Sequence, residues 1–406
     1  MQNNINEKKY SAYESFDYLK RNDDYEYFEL SNELTETPTH SIELTDVQEE
    51  TFAHLFHKHT VVSLRDHGFI LPKDHSAIIP YCKQLHTFYH YEGIAQSGID
   101  VIFENFMDGI SLTQSKSGLK WNEVIDLLGI RYADIAKQET VYIATTYEDV
   151  IQAKDRKQVA LIPSLEAANV IENELDRVDI LYGLGIRCLG LTYNDANTIG
   201  TGLSENETSG LTNFGKRVVD RMNKIGMLID ISHCNEQTSF DAIEASEDPI
   251  FITHAGAKGV WNTPRMKSDE LLKACAEKGG VIGICAAPNT TLSPNHQGHT
   301  IDSVMEHTEY IIDLVGIDHV AFGPDTIFGD HIALQQAFDR LLQLSESHEH
   351  EDKSAEAKEC VVGVENPMES IKNMTRWLLN KGYSKADVAK IISGNALRVI
   401  EQVFNK

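Results

Sequence analysis

The stretch Gly226–Ala255, GMLIDISHCNEQTSFDAIEASEDPIFITHA, contains the same structural unit twice. A β-branched apolar run, MLIDI, leads to His233, a helical segment follows, and a second apolar run, IFIT, leads to His254. In a parallel strand–helix–strand unit, both histidines lie at the carboxyl ends of neighbouring strands, where α/β folds place their functional residues. A single histidine at a strand end is more often a surface or hydrogen-bonded residue than a ligand. Two of them at one edge indicate a metal site.

Short apolar runs separated by helical patterns recur along the chain. Runs of this length without alternation are typical of strands buried on both faces, and their alternation with helices requires a parallel sheet. Eight such runs predict a closed (β/α)8 TIM barrel, and an open doubly wound sheet is the alternative. A ninth run, VYIAT, is predicted to be an accessory strand at 141–145. The eight runs lie at 61–64, 98–105, 159–166, 188–193, 227–233, 250–255, 281–286 and 319–325.

The chain outside these runs is predicted to form an arm, helices and one loop. Residues 1–50 are polar and acidic and are interpreted as an N-terminal arm on the outside of a single barrel domain that spans 51–406. The charged segment 345–359 is interpreted as a solvated loop. Helices are predicted at 46–57 after the N-cap Thr45, at 120–137, at 213–225, and as a pair between 367 and 404 that is interrupted at Gly382 and closes the barrel.

Composition excludes several classes of partner. The chain has 406 residues, with 36 basic against 62 acidic side chains, and its net charge of −26 argues against nucleic acid or an anionic membrane as a partner. No run of 18 apolar residues occurs, and the first twenty residues lack the apolar core of a signal peptide. Six cysteines occur singly, without CxxC spacing. We therefore expect a cytoplasmic protein with free thiols.

Polar and ionisable residues follow most of the predicted strands. Since the carboxyl ends of barrel strands form the catalytic face, these residues are the best candidates for chemistry. Glu166, His233 and His254 form a set of two histidines and one carboxylate, which catalytic zinc uses while its remaining position is open to water. The alternative for Glu166 is a carboxylate stabilised by a helix N-terminus. The complete set is Arg65, Asp66 and His67 after the first strand, Glu166 at the third, Tyr193 and Asn194 at the fourth, His233 at the fifth, His254 at the sixth and Asp325 at the eighth.

From about Val61 to its C-terminus, the chain resembles the renal, or membrane, dipeptidase family, zinc hydrolases on a (β/α)8 barrel of the metallo-dependent hydrolase type. The motifs occur in the family's order and cover most of the chain. They are ALIPSLE around Glu166, LGIRCLGLTYNDANTIGTG, GLTNFGKRVVDRMNKIGMLIDISH, PIFITHA, the arginine of NTPRMKSDE, HVAFGPD and GYSKADVAKIISGNALRVI.

This resemblance assigns roles to individual residues. It implies that Glu166 is the bridging glutamate and that His233 and His254 complete one zinc site. Arg265 then corresponds to the arginine that holds the terminal carboxylate of the substrate, and Asp325 to the aspartate that contacts the substrate amine and relays a proton. Tyr193 stands where the renal-type members have a substrate-contacting histidine, and a phenol can donate a hydrogen bond to a developing oxyanion.

The first strand departs from the family pattern. A His-x-Asp pair that holds the other zinc is expected after VVSL, but the chain has Arg65, Asp66 and His67 there. A guanidinium has no lone pair to offer, so Arg65 is not a ligand. His67 keeps a lone pair and is the fourth candidate ligand. If the strand is shifted by one residue, Asp66 faces the metal site instead of His67. We expect one zinc ion rather than two. Arg65 would then occupy part of the space of the missing ion and supply part of its charge.

The sequence thus predicts a zinc-dependent hydrolase of short amides, most simply a dipeptidase that releases two amino acids. Its partner would be a small peptide or amide substrate, and the resemblance also implies a homodimer. Two alternatives remain open. One is a catalytically degenerate member that binds a ligand through an altered metal site, and the other is a related barrel enzyme that acts on a non-peptide substrate.

Overall fold

A computed structural model of the chain describes residues 5–32, 40–106, 120–205, 208–343 and 359–406. Within these ranges the strands are short and form a single parallel sheet. They are β1 Val62–Asp66, β2 Val101–Asn105, β3 Val141–Ile143, β4 Val159–Leu165, β5 Cys188–Gly190, β6 Leu228–Asp230, β7 Phe251–Ala255, β8 Val281–Ile284 and β9 Val320–Phe322.

Eight of the nine strands follow one another around a barrel. Their order is β1-β2-β4-β5-β6-β7-β8-β9, and β3 lies off this path and pairs with β4. Backbone hydrogen bonds join the two ends of the path, since Asp325 N donates to Arg65 O at 2.8 Å and His67 N donates to Thr326 O at 3.0 Å. The predicted (β/α)8 barrel is confirmed, the accessory role of the 141–145 run is confirmed, and the open sheet is excluded.

Helices surround the barrel in the expected alternation. The predicted helix at 213–225 has these bounds in the structure, and Thr45 caps the first helix with a capping box to Gln48. The helices are α1 Asp46–Lys58, α2 Ile78–Lys83, α3 Tyr91–Gln96, α4 Trp121–Ile135, α5 Tyr147–Ile151, α6 Ala153–Arg156, α7 Arg177–Gly183, α8 Asn213–Ile225, α9 Glu236–Ala245, α10 Asp269–Glu277, α11 Ile301–Val315, α12 His331–Gln343, α13 Ser370–Asn380, α14 Lys385–Ala389 and α15 Asn395–Phe404. No helix in the described ranges is both long enough and apolar enough to cross a membrane.

The barrel interior is filled from its amino end. Alternate strand residues such as Val62, Leu64 and Phe103 point inward and form one apolar cluster with Val399 and Val403 of α15. Most other buried apolar side chains lie between the strands and the outer helices. The apolar side chains of α15 fill one end of the barrel. The candidate functional residues lie at the opposite, carboxyl end of the strands, as in barrel enzymes generally.

Two strands change register just where they reach this carboxyl end. The pairing of β1 with β2 shifts between Ser63 and Asp66, and the pairing of β7 with β8 shifts between Ile252 and Ala255. Such irregularities re-aim side chains and are common next to active sites. They set the direction of the side chains around Arg65.

The N-terminal segment is anchored on the barrel by buried polar contacts. Lys8 forms an ion pair with Asp100 at the start of β2, and both side chains are fully buried. Phe16 is also fully buried, and its backbone N–H donates to Asp134 Oδ1 at 2.7 Å. The boundary of the arm at residue 50 stays a prediction. Of the predicted loop at 345–359, all but Glu359 lies outside the described residues.

Candidate metal centre

Glu166, His233 and His254 meet at the carboxyl end of the barrel. Glu166 follows β4 directly, His233 follows β6 and His254 lies within β7. Glu166 Oε1 is 2.9 Å from His233 Nε2 and 3.2 Å from His254 Nε2. The two Nε2 atoms are 3.1 Å apart. All three residues are buried. The prediction that these side chains converge therefore agrees with the geometry.

The donor atoms fit a divalent metal ion. A tetrahedral zinc ion with ligands at about 2.0–2.1 Å holds them roughly 3.3 Å apart, close to the three observed separations. Two histidines and one carboxylate are also the donor types of catalytic zinc sites. Within the described part of the chain, these residues are the one group of three or more histidine, cysteine or acidic side chains with such convergence.

A hydrogen-bonded chain fixes the imidazole of His254. Thr253 Oγ1 donates to Asp230 Oδ2 at 2.5 Å and lies 2.8 Å from His254 Nδ1. Because the single hydroxyl proton points to the carboxylate, the hydroxyl oxygen accepts from Nδ1–H. The lone pair of His254 is therefore on Nε2, which faces Glu166. Partners of this kind orient metal-binding histidines and raise their basicity.

His233 is held by a different pair of neighbours. Its Nδ1 lies 3.0 Å from Asn194 Oδ1, which leaves Nε2 to face Glu166 and His254. The ring of Tyr193 stacks on the imidazole, with centroids 4.4 Å apart and planes 20° apart. Burial, reinforced by Arg265, lowers the pKa of His233 to about 4. The imidazole is thus neutral at pH 7, as a ligand must be.

Glu166 is the charged member of the set. Burial alone would raise the pKa of this carboxyl, but His233 and Arg65 oppose it and hold the pKa well below its usual value. Its second oxygen, Oε2, accepts from Asn105 Nδ2 at 2.9 Å. Asn105 ends β2 and was absent from the residues that the sequence singled out, although GIDVIFEN ends on it. The positive charge of a helix N-terminus is therefore not needed to explain why the carboxyl of Glu166 is ionised.

Arg65 lies inside the barrel beside the ligand set. Its side chain is 1% exposed, and Nη2 lies 3.2 Å from Asp230 Oδ2 and 3.5 Å from Thr253 Oγ1. Nε and Nη1 have no hydrogen-bond partner. Burial alone would lower the pKa of the guanidinium, but the neighbouring carboxylates, Glu166 first among them, raise it. Arg65 is therefore a permanent positive charge next to the candidate ligands.

The other two residues after β1 point elsewhere. Asp66 accepts from Ser63 Oγ at 2.6 Å through Oδ2, and from Thr326 N at 3.0 Å and Thr326 Oγ1 at 2.6 Å through Oδ1. Both carboxylate oxygens of Asp66 are thus engaged in hydrogen bonds to neighbouring residues of the barrel. His67 Nε2 lies 3.1 Å from Asp325 Oδ1, and the imidazole does not belong to the group that converges on Glu166.

Arg265 and Asp325 border the ligand set. Arg265 Nη2 donates to His254 O at 2.7 Å and Nη1 donates to Ser232 O at 3.1 Å, so the guanidinium lies over the strand ends that carry the two histidines. Asp325 has a φ of 62°, in the left-handed region that a non-glycine residue rarely adopts. Such backbone strain concentrates at functional sites.

Comparison with known proteins places the chain in a family. The profile described as membrane dipeptidase (peptidase family M19) matches residues 122–337, just over half of the chain. An uncharacterized protein from the pqqA 5′ region of Klebsiella pneumoniae is 29% identical over 186 residues, 44% of this chain and 68% of that protein. The uncharacterized dipeptidase C3A11.10c of Schizosaccharomyces pombe is 27% identical over 224 residues, 52% of this chain and 54% of that protein.

The matched stretches thus span from about half to two thirds of these curated relatives. The profile match begins after β2, so the departure at Arg65–His67 lies outside it. Among solved structures, an amidohydrolase from Pseudomonas aeruginosa has the same fold, with a TM-score of 0.70 and 22% identity over 87% of this chain and 99% of that chain. The resemblance of the sequence is thereby confirmed, and the chain belongs to the membrane dipeptidase family, peptidase family M19.

Proposed function

We propose that this protein is a metal-dependent dipeptidase that hydrolyses the amide bond of a short peptide and releases two amino acids. The observation that carries the proposal is the convergence of Glu166, His233 and His254 within 3.2 Å at the catalytic end of the barrel. Membership of the dipeptidase family supports the reaction.

We further propose that the site takes one divalent ion, most simply zinc. The pKa values of the buried carboxyls of Glu166, Asp230 and Asp325 are all lowered, so three negative charges lie in this region. Arg65 and one divalent ion balance these three charges, and the positive charge of Arg265 is left for the carboxylate of the substrate. A second divalent ion would add two further positive charges to the interior, which is costly.

The residues of this chain would divide the work of hydrolysis between them. An ion held by Glu166, His233 and His254 would supply Lewis acidity and lower the pKa of a water molecule to about 7. Arg265 would bind the terminal carboxylate of the substrate through a bidentate pair. Asp325 would take the proton that water loses as its oxygen bonds to the carbonyl carbon, and would give it to the leaving amine nitrogen as the C–N bond breaks.

Tyr193 would contribute in two ways. Its ring stacks on His233 and so limits rotation of that imidazole. Its phenol would donate a hydrogen bond to the oxyanion that develops on the carbonyl. The substrate is then a small peptide or amide, and we propose a cytoplasmic homodimer. The six cysteines, all free and five of them buried, support a reducing compartment.

The proposal is tested by assaying metal-loaded protein with a panel of dipeptides and detecting free amino acids. We expect turnover that His233→Ala reduces at least 10³-fold, because the variant lacks a donor at the ion site. A matched control is His319→Ala, since His319 bonds to Gly280 O at 2.9 Å at the other end of the barrel. Absence of turnover on every dipeptide after zinc addition contradicts the proposal.

One observation favours a second candidate, a binding protein without catalysis. The guanidinium of Arg65 is buried beside the ligand set, at the end of the strand where the family pattern has the ligands of the other zinc ion. In that case wild-type protein would bind a metal ion and a peptide without cleaving it, and Arg65→His would gain activity. Turnover by the wild type that is lost in His233→Ala excludes this candidate.

A further inference from the structure

Unpaired buried polar atoms are concentrated at the ends of β1 and β2. In the described ranges nine buried side-chain atoms have no hydrogen-bond partner, and five of them belong to Arg65, His67, Glu104 and Asn105. Buried polar groups are paired in the great majority of cases. This concentration marks a functional region, and His67 and Glu104 in it have no role in the metal site described above.

The imidazole of His67 lies between two acidic side chains. Its Nε2 is 3.1 Å from Asp325 Oδ1, and its Nδ1 is 3.9 Å from Glu104 Oε1. The first separation is a hydrogen bond and the second is an ion-pair distance. Neither Nδ1 nor Oε1 has another partner. Asp325, His67 and Glu104 thus form a line that runs from the site to β2.

Glu104 is itself fixed in place. It is fully buried, and its Oε2 accepts from the backbone N–H of Gly68 at 2.7 Å. A Cβ at Gly68 would lie 2.9 Å from Ile94 Cδ1 and 3.1 Å from Glu104 Oε2, so only glycine fits this approach without a shift. Burial raises the pKa of Glu104 to about 7. Several charged and titratable groups face this line. They are Arg65 and Asp66 next to His67, Tyr89 and Arg131 next to Glu104, and His254 and Glu166 next to Asp325.

We propose that His67 is a positioning residue for Asp325 and that Glu104 holds His67 in the orientation this requires. The inference deepens the proposed function, on which it rests, because it explains how the proton-transferring carboxylate is aimed. The N–H at Nε2 binds Oδ1 of Asp325 and leaves the other carboxylate oxygen for the substrate. The backbone of Asp325 is held in turn by Arg65 O at 2.8 Å.

The two carboxylates act on opposite nitrogens of the same imidazole. The charge of Glu104 favours a proton on Nδ1, and the carboxylate of Asp325 requires a proton on Nε2. Both requirements are met only by the doubly protonated imidazolium. Glu104 therefore favours the protonated form of His67, in which Nε2 donates to Asp325.

The test compares His67→Ala, His67→Gln and Glu104→Gln with wild type, and uses His319→Gln as the matched control. Glutamine places an amide N–H near the position of Nε2, so it restores the donor to Asp325. We expect His67→Ala to lower kcat about 100-fold, since a general acid–base residue contributes 10²–10⁴-fold. KM stays within about twofold, and His67→Gln recovers at least a tenth of the wild-type kcat. His319→Gln keeps the wild-type kcat.

Metal content separates positioning from ligation. We expect His67→Ala and His67→Gln to retain the same number of zinc ions per chain as wild type. Loss of the ion in either variant makes His67 a ligand and overturns the proposal. Unchanged kcat in His67→Ala overturns it as well.

A spectroscopic measurement keeps the proposal testable if the wild type cleaves no dipeptide, a result that would refute the proposed function alone. In ¹⁵N spectra of histidine-labelled protein, the pKa of the His67 imidazole should fall by about one or more in Glu104→Gln, because an opposing charge within 4–6 Å is removed. Nε2 should stay protonated throughout in wild type. An unchanged pKa, or a lone pair on Nε2 at neutral pH, contradicts the proposed role of this line.

Discussion

Replacing Thr253 by valine tests how the barrel prepares a ligand for the metal ion. Valine matches threonine in shape and favours the β-strand, so the change replaces the hydroxyl by a methyl group and leaves the backbone preference the same. This hydroxyl donates to Asp230 at 2.5 Å and accepts from His254 Nδ1 at 2.8 Å. Asp230 keeps the backbone N–H of Thr253 at 3.0 Å and the hydroxyl of Ser232 at 2.6 Å. Arg65 Nη2 and Ser232 Oγ also lie near this hydroxyl, at 3.5 Å and 3.1 Å, but both keep Asp230 as a partner. The group left without its partner is therefore Nδ1 of His254.

The expected magnitude follows from the burial of His254. Its imidazole is fully buried, so an unpaired Nδ1–H costs about 1–3 kcal/mol. The other tautomer avoids this cost but puts a proton on Nε2, the atom that faces Glu166 at 3.2 Å. Either result weakens metal binding, and we expect a loss of about 10–100-fold in zinc affinity, the range for partners of metal ligands.

The assay is a competition titration of metal-free protein with zinc and a chelating dye. Thr291→Val is the matched control, since Thr291 is also a fully buried threonine that contacts a histidine, His299 Nε2 at 3.0 Å, but lies outside the ligand set. Thermal unfolding of the metal-free variants separates lost affinity from lost structure. Wild-type affinity in Thr253→Val, with unchanged unfolding of the metal-free form, would refute the role assigned to this hydroxyl.

Three further predictions concern binding and stability. Arg265→Ala should raise KM about 10–100-fold for a dipeptide with a free carboxylate, because a charge-assisted pair contributes about 1.5–3 kcal/mol. KM for the corresponding dipeptide amide should not change. An equal rise in KM for both substrates in steady-state assays would contradict carboxylate recognition. Arg65→Met should lower the free energy of unfolding in urea by about 3–5 kcal/mol, because Asp230 loses its buried partner; a smaller loss than for a surface arginine would contradict this. Burial lowers the pKa values of His90, His299 and His307 to about 4, below the unfolded value near 6.5. The stability that these histidines contribute is therefore complete above pH 6.5 and is lost as the pH falls towards 4, by up to about 1.4 kcal/mol per pH unit for each. Urea unfolding with equal midpoints at pH 7 and pH 5 would contradict this prediction.

The pattern of apolar runs and the polar residues that follow them was sufficient to predict the barrel and the convergence of Glu166, His233 and His254. Glu166 and His233 directly follow apolar runs, and the alternation of strands with helices places both at the same edge. His254 has the same position in the next unit. These features depend on short stretches of sequence and on the right-handed connection that strand–helix–strand units have in general.

The supporting residues could not be found in the same way. Asp230 and Thr253 are polar positions inside runs that read as apolar strands, and their link to His254 exists only after β6 and β7 pair. Asn105 ends the second strand, and its position after an apolar run is the one sequence feature that indicates a place beside Glu166. In β1, the register shift between Ser63 and Asp66 breaks the alternation of faces, so the sequence left the directions of Arg65, Asp66 and His67 undecided.

The metal content of the protein tests the central claim most directly. Wild-type protein and His233→Ala would be saturated with zinc, dialysed, and measured by inductively coupled plasma mass spectrometry against protein concentration. Three converging donors beside a fixed guanidinium predict one ion per chain in the wild type and less than a tenth of this amount in His233→Ala. Two ions per chain in the wild type, or full retention of zinc by the variant, would contradict it.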